Sequence, residues 1–253
     1  MLLGVTRVKS QDKKAEVEFF TRFMGSGNPE FLGWGEKQFR RALRPLDKTK
    51  RLTLNQRLLD LGCGDGEFTS RLVLSPVNVV GLDIACAVIQ VNKSRNPSAG
   101  FVCGDAENLP FKDGQFDILV ATFLLHHFRQ HDKIMSEICR VLKDGGVFLV
   151  LEPNSWNPVT WYRHNTERGR MQSKRPPTTN EKIFSARYLH KLLKPDFKIQ
   201  EFKTINFDLV RLPEAIEAFF EKMPPFSLFG GTAVVCGEKR PSSFPTSIAG
   251  VRK

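Results

Sequence analysis

From residue 57 to residue 153 the sequence alternates short apolar runs with stretches of helical periodicity, and this alternation limits the fold more than any other feature. "RLLDLG" reads as a buried strand and "EFTSRLVL" as a helix stopped by Ser75-Pro76. "NVVGLDI" is a second strand, followed by the helix "CAVIQVNKSR"; "AGFVCGDA" and "FDILVATFLL" are the third and fourth strands. "HDKIMSEICRVLKDGG" puts Ile134, Ile138, Val141 and Leu142 on one helical face and stops at Gly145-Gly146, and "VFLVLEPN" is a fifth strand. Further on, "SARYLHKLL" reads as a helix with Ser185 as its cap, and "FKIQEFKTINF" and "GTAVVCGEK" as two closing strands. Strands that alternate with helices predict an α/β fold with a mainly parallel sheet covered on both faces, and right-handed crossovers make it doubly wound.

At 253 residues the chain has room for one large domain of this kind. Residues 11–50 read as helical, in "AEVEFFTRFM" and then "NPEFLGWGEKQFRRAL" behind an Asn28-Pro29 start signal. The first ten residues and the tail after residue 240 carry no sustained period and read as frayed ends. The opening residues lack a signal-peptide pattern and no run reaches the ~20 apolar residues of a membrane span, so the expectation is a cytoplasmic protein. The five cysteines are scattered, without a CxxC pair, and predict buried free thiols; they suggest neither a disulfide framework nor a zinc site, and no metal ligands are assigned. The net charge of +11 is concentrated. Between Trp161 and Gln200 ten basic residues face three acidic ones, a net +7, which suits phosphate, nucleic acid or an anionic surface as well as it suits plain solvation.

The first βα turn, "LLDLGCGDGEF", has three glycines in five positions, Gly62, Gly64 and Gly66. Such a turn bends tightly and lets a ligand approach the backbone, at the end of an open sheet where ligands of α/β folds bind. Asp83 closes the second strand 21 residues beyond Gly62, the distance at which an acidic side chain reaches both hydroxyls of a ribose. Gly104-Asp105-Ala106 closes the third and suits an adenine edge. The turn departs from the dinucleotide pattern GxGxxG, because its third glycine comes one place early and Glu67 stands where a small residue is needed. Asp65 and Glu67 would also repel a pyrophosphate, so a nucleoside cofactor with an amino-acid end fits better.

"LLDLGCGDGEFTSRL", "VVGLDIA", "FVCGDAENLPFKDGQFDILVATFLLHHF" and "EICRVLKDGGVFLVLEPN" together resemble the class I S-adenosylmethionine-dependent methyltransferases, most closely the small-molecule branch with the ubiquinone- and menaquinone-biosynthesis enzymes. The resemblance covers about residues 55–152. It implies a seven-stranded mixed sheet of order 3-2-1-4-5-7-6 with strand 7 antiparallel, and S-adenosylmethionine as cofactor. Carried over by position, Asp60 and the Gly62–Gly66 turn with Cys63 would hold the methionine part, Asp83 with Ile84 the ribose, and Asp105 with Ala106 the adenine. Thr122 to His126 would border the sulfonium and the acceptor. The organisation expected is an N-terminal tail and helical cap over 1–51, a methyltransferase domain over 52–240 with lid insertions near 153–184 and 208–229, and a flexible tail over 241–253.

Methyl transfer from a sulfonium is an in-line displacement in which the protein contributes positioning and exclusion of water, plus a base where an oxygen acceptor must lose its proton. Three residues are candidates for that base: His127, His126 and Glu152. Strand alternation would send the two histidines to opposite sides, so only one should face the site. Trp156, Trp161 and Tyr162 are candidates for an aromatic acceptor wall, and Ile216, Phe219 and Phe220 for a helical core stripe that also roofs the pocket. The partner expected is a small, partly apolar methyl acceptor. Two alternatives stay open: a nucleic-acid methyltransferase using the 161–200 patch, and a non-catalytic protein that binds the cofactor or a partner through the same fold.

Overall fold

The computed structural model describes residues 13–24, 35–166, 168, 181–206, 216, 219–220, 223 and 226–241. Two helices, α1 (Lys13–Met24) and α2 (Glu36–Lys48), precede the sheet. Then follow β1 (Arg57–Leu61), α3 (Thr69–Leu72), β2 (Asn78–Asp83), α4 (Cys86–Arg95), β3 (Gly100–Cys103), β4 (Phe116–Thr122), α5 (Asp132–Val141) and β5 (Leu142–Pro153). The chain continues through α6 (Pro158–Asn165), α7 (Ala186–Leu193), β6 (Phe197–Ile205) and β7 (Thr232–Lys239). The sheet has seven strands in the order β3-β2-β1-β4-β5-β7-β6. All pairs are parallel except β5–β7 and β6–β7, so β7 runs antiparallel, as the resemblance implied.

The period-2 pattern of the strands sorts the core into two layers. Leu59, Leu61, Leu119, Ala121, Phe148 and Val150 pack on one face with α5 and α7. Leu58, Ile118, Val120, Val147, Leu149 and Leu151 pack on the other, with Phe39, Ala42 and Leu46 of α2. The expected N-terminal cap is therefore two different things. The amphipathic α2 is a layer of the fold, whereas α1 lies against α4, where Phe20 meets Ala85 and Val88. The Asn28-Pro29 signal lies outside the described residues; α2 itself starts after Gly35.

Three local expectations change. The helix after β1 is one turn, Thr69–Leu72, rather than two. The helix before β5 ends at Val141, not at Gly145-Gly146, because Leu142 already pairs with Phe116 and the register then jumps to Ile118 against Val147. The two glycines sit in that irregularity, with Gly145 at φ +71°. Cys86 and Cys103 are joined in a disulfide, contrary to the expectation of free thiols throughout. Their spacing of 17 residues hid the pairing: parallel packing of β3 on β2 sets Cys103 opposite Asp83, three residues before Cys86. Of the others, Cys63 and Cys236 are buried and Cys139 is half-buried. Ser185 caps α7 as expected, its hydroxyl accepting from the Tyr188 N–H. Among the described residues no helix is long and apolar enough to cross a membrane.

Candidate functional site

The carboxyl ends of β1, β2, β3 and β4 open into a cleft of about 930 Å³, counting space open to solvent. Its floor is the glycine turn. Gly62, Gly64 and Gly66 all have positive φ, at +74°, +50° and +92°. The turn is bolted to β2 by the Gly62 and Cys63 N–H groups, which both donate to the Leu82 carbonyl. Asp83 finishes the tie, accepting from the Gly64 N–H at 3.0 Å on one oxygen and from the Ala85 N–H at 2.9 Å on the other. Burial raises the Asp83 carboxyl, and these backbone donors oppose that rise.

Asn92 of α4 buttresses the turn from behind. It is fully buried, donates to the Gly64 carbonyl at 3.2 Å, and accepts from Asn96. A methyl group on Gly66 would lie 2.2 Å from its Oδ1. The sequence reading missed Asn92; a polar residue on the inner face of an otherwise apolar helical stripe was the signal.

Of the cofactor candidates, Gly62, Cys63, Gly64, Asp83, Ile84, Asp105, Ala106 and Thr122 line the cleft. Gly66 and Asp60 stand behind its surface. Asp60 is wholly buried inside β1, with Oδ2 accepting from the Thr69 hydroxyl at 2.7 Å and Oδ1, among the described residues, without a partner. Burial pushes its carboxyl up to about 7; the Thr69 hydroxyl opposes this and the charge of Asp83 adds to it. Asp105 is tied to Lys13 of α1, which also reaches Glu107 at 2.6 Å. Burial alone would raise the Asp105 carboxyl, but the Lys13 ammonium and the Glu107 N–H hold it below its ordinary value.

The base candidates separate. His127 lines the cleft, its Nδ1 3.2 Å from Glu16 of α1 and its ring edge-on to Phe20. His126 and Glu152 do not line it; they face each other at 2.7 Å inside the protein. Glu152 also accepts from the Leu124 and Leu125 N–H groups, so it anchors the turn after β4. The alternation argument fails because Leu125–His127 is a 3₁₀ turn and not strand: the two imidazole rings lie 4.2 Å apart instead of on opposite sides. Phe123 enters that turn at φ +54°, a conformation strained for a bulky side chain, and so faces the cleft.

The expected aromatic wall is also replaced. Trp156, Trp161 and Tyr162 are outside the cleft and at least a third exposed; Phe20, Phe68, Phe123 and Phe128 line it instead. Ile216 and Phe219, expected in a core stripe, are 42% and 58% exposed, and most of 208–229 lies outside the described residues. So do Arg170, Lys174 and Arg175 of the basic segment. The other residues missed from sequence, Lys13 and Glu16, come from a helix with no motif of its own.

Among the described residues the cleft carries five carboxylates (Glu16, Asp65, Glu67, Asp83 and Asp105) against one lysine. Such a lining repels a pyrophosphate and favours a cationic ligand. The orphaned Asp60 oxygen under the turn, the cradle at Gly64 and the acidic lining fit a nucleoside with an ammonium and a sulfonium. Residues 59–150 match the family described as "Methyltransferase domain". These residues form a methyltransferase domain similar to that of the class I S-adenosylmethionine-dependent methyltransferases. An uncharacterized methyltransferase of Synechocystis is 37% identical over 127 residues, 48% of this chain and 58% of that protein. A demethylmenaquinone methyltransferase of Renibacterium salmoninarum is 36% identical over 97 residues, 38% of this chain and 41% of that one. The chain thus spans about half the length of these relatives. A Thermotoga maritima structure described as a SAM-dependent methyltransferase, possible histamine N-methyltransferase, shares the methyltransferase fold: TM-score 0.59 at 22% identity, over 88% of this chain and 99% of that one.

Proposed function

We propose that the protein methylates a small, partly apolar acceptor, using S-adenosylmethionine held between the glycine turn and the tips of β2 and β3. The acidic cleft with a phenylalanine wall carries this reading. Asp60 beneath the turn would attract the ammonium of the cofactor, the Gly62–Gly66 backbone would receive its methionine part, and Asp83 would accept from the ribose hydroxyls. Asp105 and the Ala106 backbone would meet the adenine. Bound there, the cofactor supplies a methyl carbon made electrophilic by the adjacent sulfonium. The protein excludes water with α1, whose Glu16 and Phe20 close on His127. His127 is the candidate that faces the acceptor; Glu152 holds the turn that carries it. The phenylalanines suit a flat, apolar acceptor, in keeping with the quinone-type name of one relative. The nucleic-acid alternative is disfavoured by the lining of the cleft, which among the described residues has one lysine and five carboxylates.

Calorimetry with S-adenosylhomocysteine and transfer of a labelled methyl group to an organic-soluble metabolite extract test the reading. The wild type should bind and label. Asp83→Ala removes the carboxylate that joins the two turns and should weaken binding at least tenfold, about 1.4 kcal/mol. Binding without any labelled product would favour the non-catalytic alternative, and affinity for NAD without affinity for S-adenosylhomocysteine would overturn the cofactor assignment.

A further inference from the structure

Beside the cleft, one potential ligand atom from each of His126, His127 and Glu181 lies within 4.8 Å of the other two. We propose that this cluster binds a single divalent transition-metal ion. All three side chains are nearly or wholly buried, at 1%, 7% and 1% exposure. His126 is the residue that decides the matter. Its Nδ1 lies 2.7 Å from Glu152, a carboxylate that can only accept, so the proton sits on Nδ1 and the Nε2 lone pair points away. That carboxylate cannot turn, because its other oxygen holds the Leu124 and Leu125 N–H groups. The Nε2 atom is buried and, among the described residues, has no hydrogen-bond partner. An imidazole oriented by a carboxylate through one nitrogen, with the other bare and buried, is the arrangement of a metal-ligating histidine. Leaving such an acceptor unsatisfied costs stability without return, whereas a cation repays it.

Further donors complete the set. Glu16 Oε2 lies 3.2 Å from His127 Nδ1, and His164 Nδ1 lies 3.7 Å from Glu181 Oε2. The two buried glutamates, Glu16 and Glu181, would balance a charge of 2+. Two imidazoles among the ligands favour zinc, iron, cobalt or nickel over magnesium and calcium, which prefer all-oxygen sites. Glu16 and His127 also line the cleft, so the ion would sit in its wall. The metal site stands on its own geometry; only its use, to bind an acceptor oxygen, rests on the methyl-transfer reading.

The test is calorimetric titration of the chelator-stripped, full-length protein with Zn²⁺. The result expected is one ion per chain with a Kd of about 1 μM or tighter, about 8 kcal/mol. His126→Gln and Glu181→Gln should each weaken binding more than about tenfold, and Glu152→Gln, which keeps an acceptor for the Leu124 and Leu125 N–H groups but removes the charge that orients His126, by about 10–100-fold. Zinc-edge X-ray absorption of the wild type counts imidazole ligands without any variant, and should find at least two. No binding, fewer than two imidazoles, or an affinity unchanged in both His126→Gln and Glu181→Gln overturns the site. Affinity for S-adenosylhomocysteine, measured on the same preparations, reports the cofactor reading separately: its loss in the wild type would refute that reading and leave the zinc result standing.

Discussion

Asp60 offers the sharpest test of how the glycine turn is built. The native protein holds this carboxyl at about 7, chiefly through burial, against 3.8 ordinarily. Between about pH 4 and pH 7 the folded state therefore keeps a proton that the unfolded chain has lost. The folded value is the higher one, so this group's contribution to stability is greatest below about pH 4, falls as pH rises toward 7, and is level above it. At about 1.4 kcal/mol per tenfold change in proton affinity, the full fall is about 4 kcal/mol. Asp60→Asn stays neutral at every pH and still offers the Thr69 hydroxyl an acceptor. Its new amide hydrogens cost about 1–3 kcal/mol if left unpaired. Urea unfolding of both proteins without cofactor should show the asparagine variant gaining on the wild type by about 3 kcal/mol between pH 5 and pH 8. S-adenosylhomocysteine affinity should move the other way and weaken. A stability difference that is constant across pH, or a variant that binds as tightly as the wild type, refutes the account of Asp60 as a buried carboxyl kept for a cation.

Two other outcomes follow from the geometry. Gly66→Ala sets a methyl group 2.2 Å from Asn92 Oδ1 at a φ of +92°, so Asn92 must leave the Gly64 carbonyl; urea unfolding should show a loss of at least about 2 kcal/mol, and calorimetry a weaker cofactor. Thiol titration of the denatured, unreduced protein should count three groups, Cys63, Cys139 and Cys236, rising to five after reduction. Cys103→Ser should cost about 3 kcal/mol, the chain-entropy value for a 17-residue loop.

Much of the fold was legible because its signals are local. Strands buried on both faces must be apolar throughout, glycine must stand where φ is positive, and helix caps such as Ser185 show in three or four residues. The same holds for Asp83 and Asp105, fixed at strand tips by the register of a parallel sheet. The misreadings all involve residues distant in sequence or a change of local geometry. His126 and His127 looked like strand neighbours, and became ring neighbours once Glu152 tightened the chain into a 3₁₀ turn. Gly145 and Gly146 looked like a helix stop and are a strand irregularity, because Leu142 already pairs with Phe116 ahead of them.

The order of apolar runs, glycines and acidic tips thus determined the sheet, the glycine turn and the acidic strand tips beside it, since each is set by backbone sterics and by periods of two or 3.6 residues. Tertiary structure alone decided that α1 closes the cleft through Lys13 and Glu16, that Cys86 meets Cys103, and that Glu181 joins two histidines 54 and 55 residues before it. Those contacts depend on packing between elements that share no period and no spacing rule, so nothing short of the folded chain brings them together.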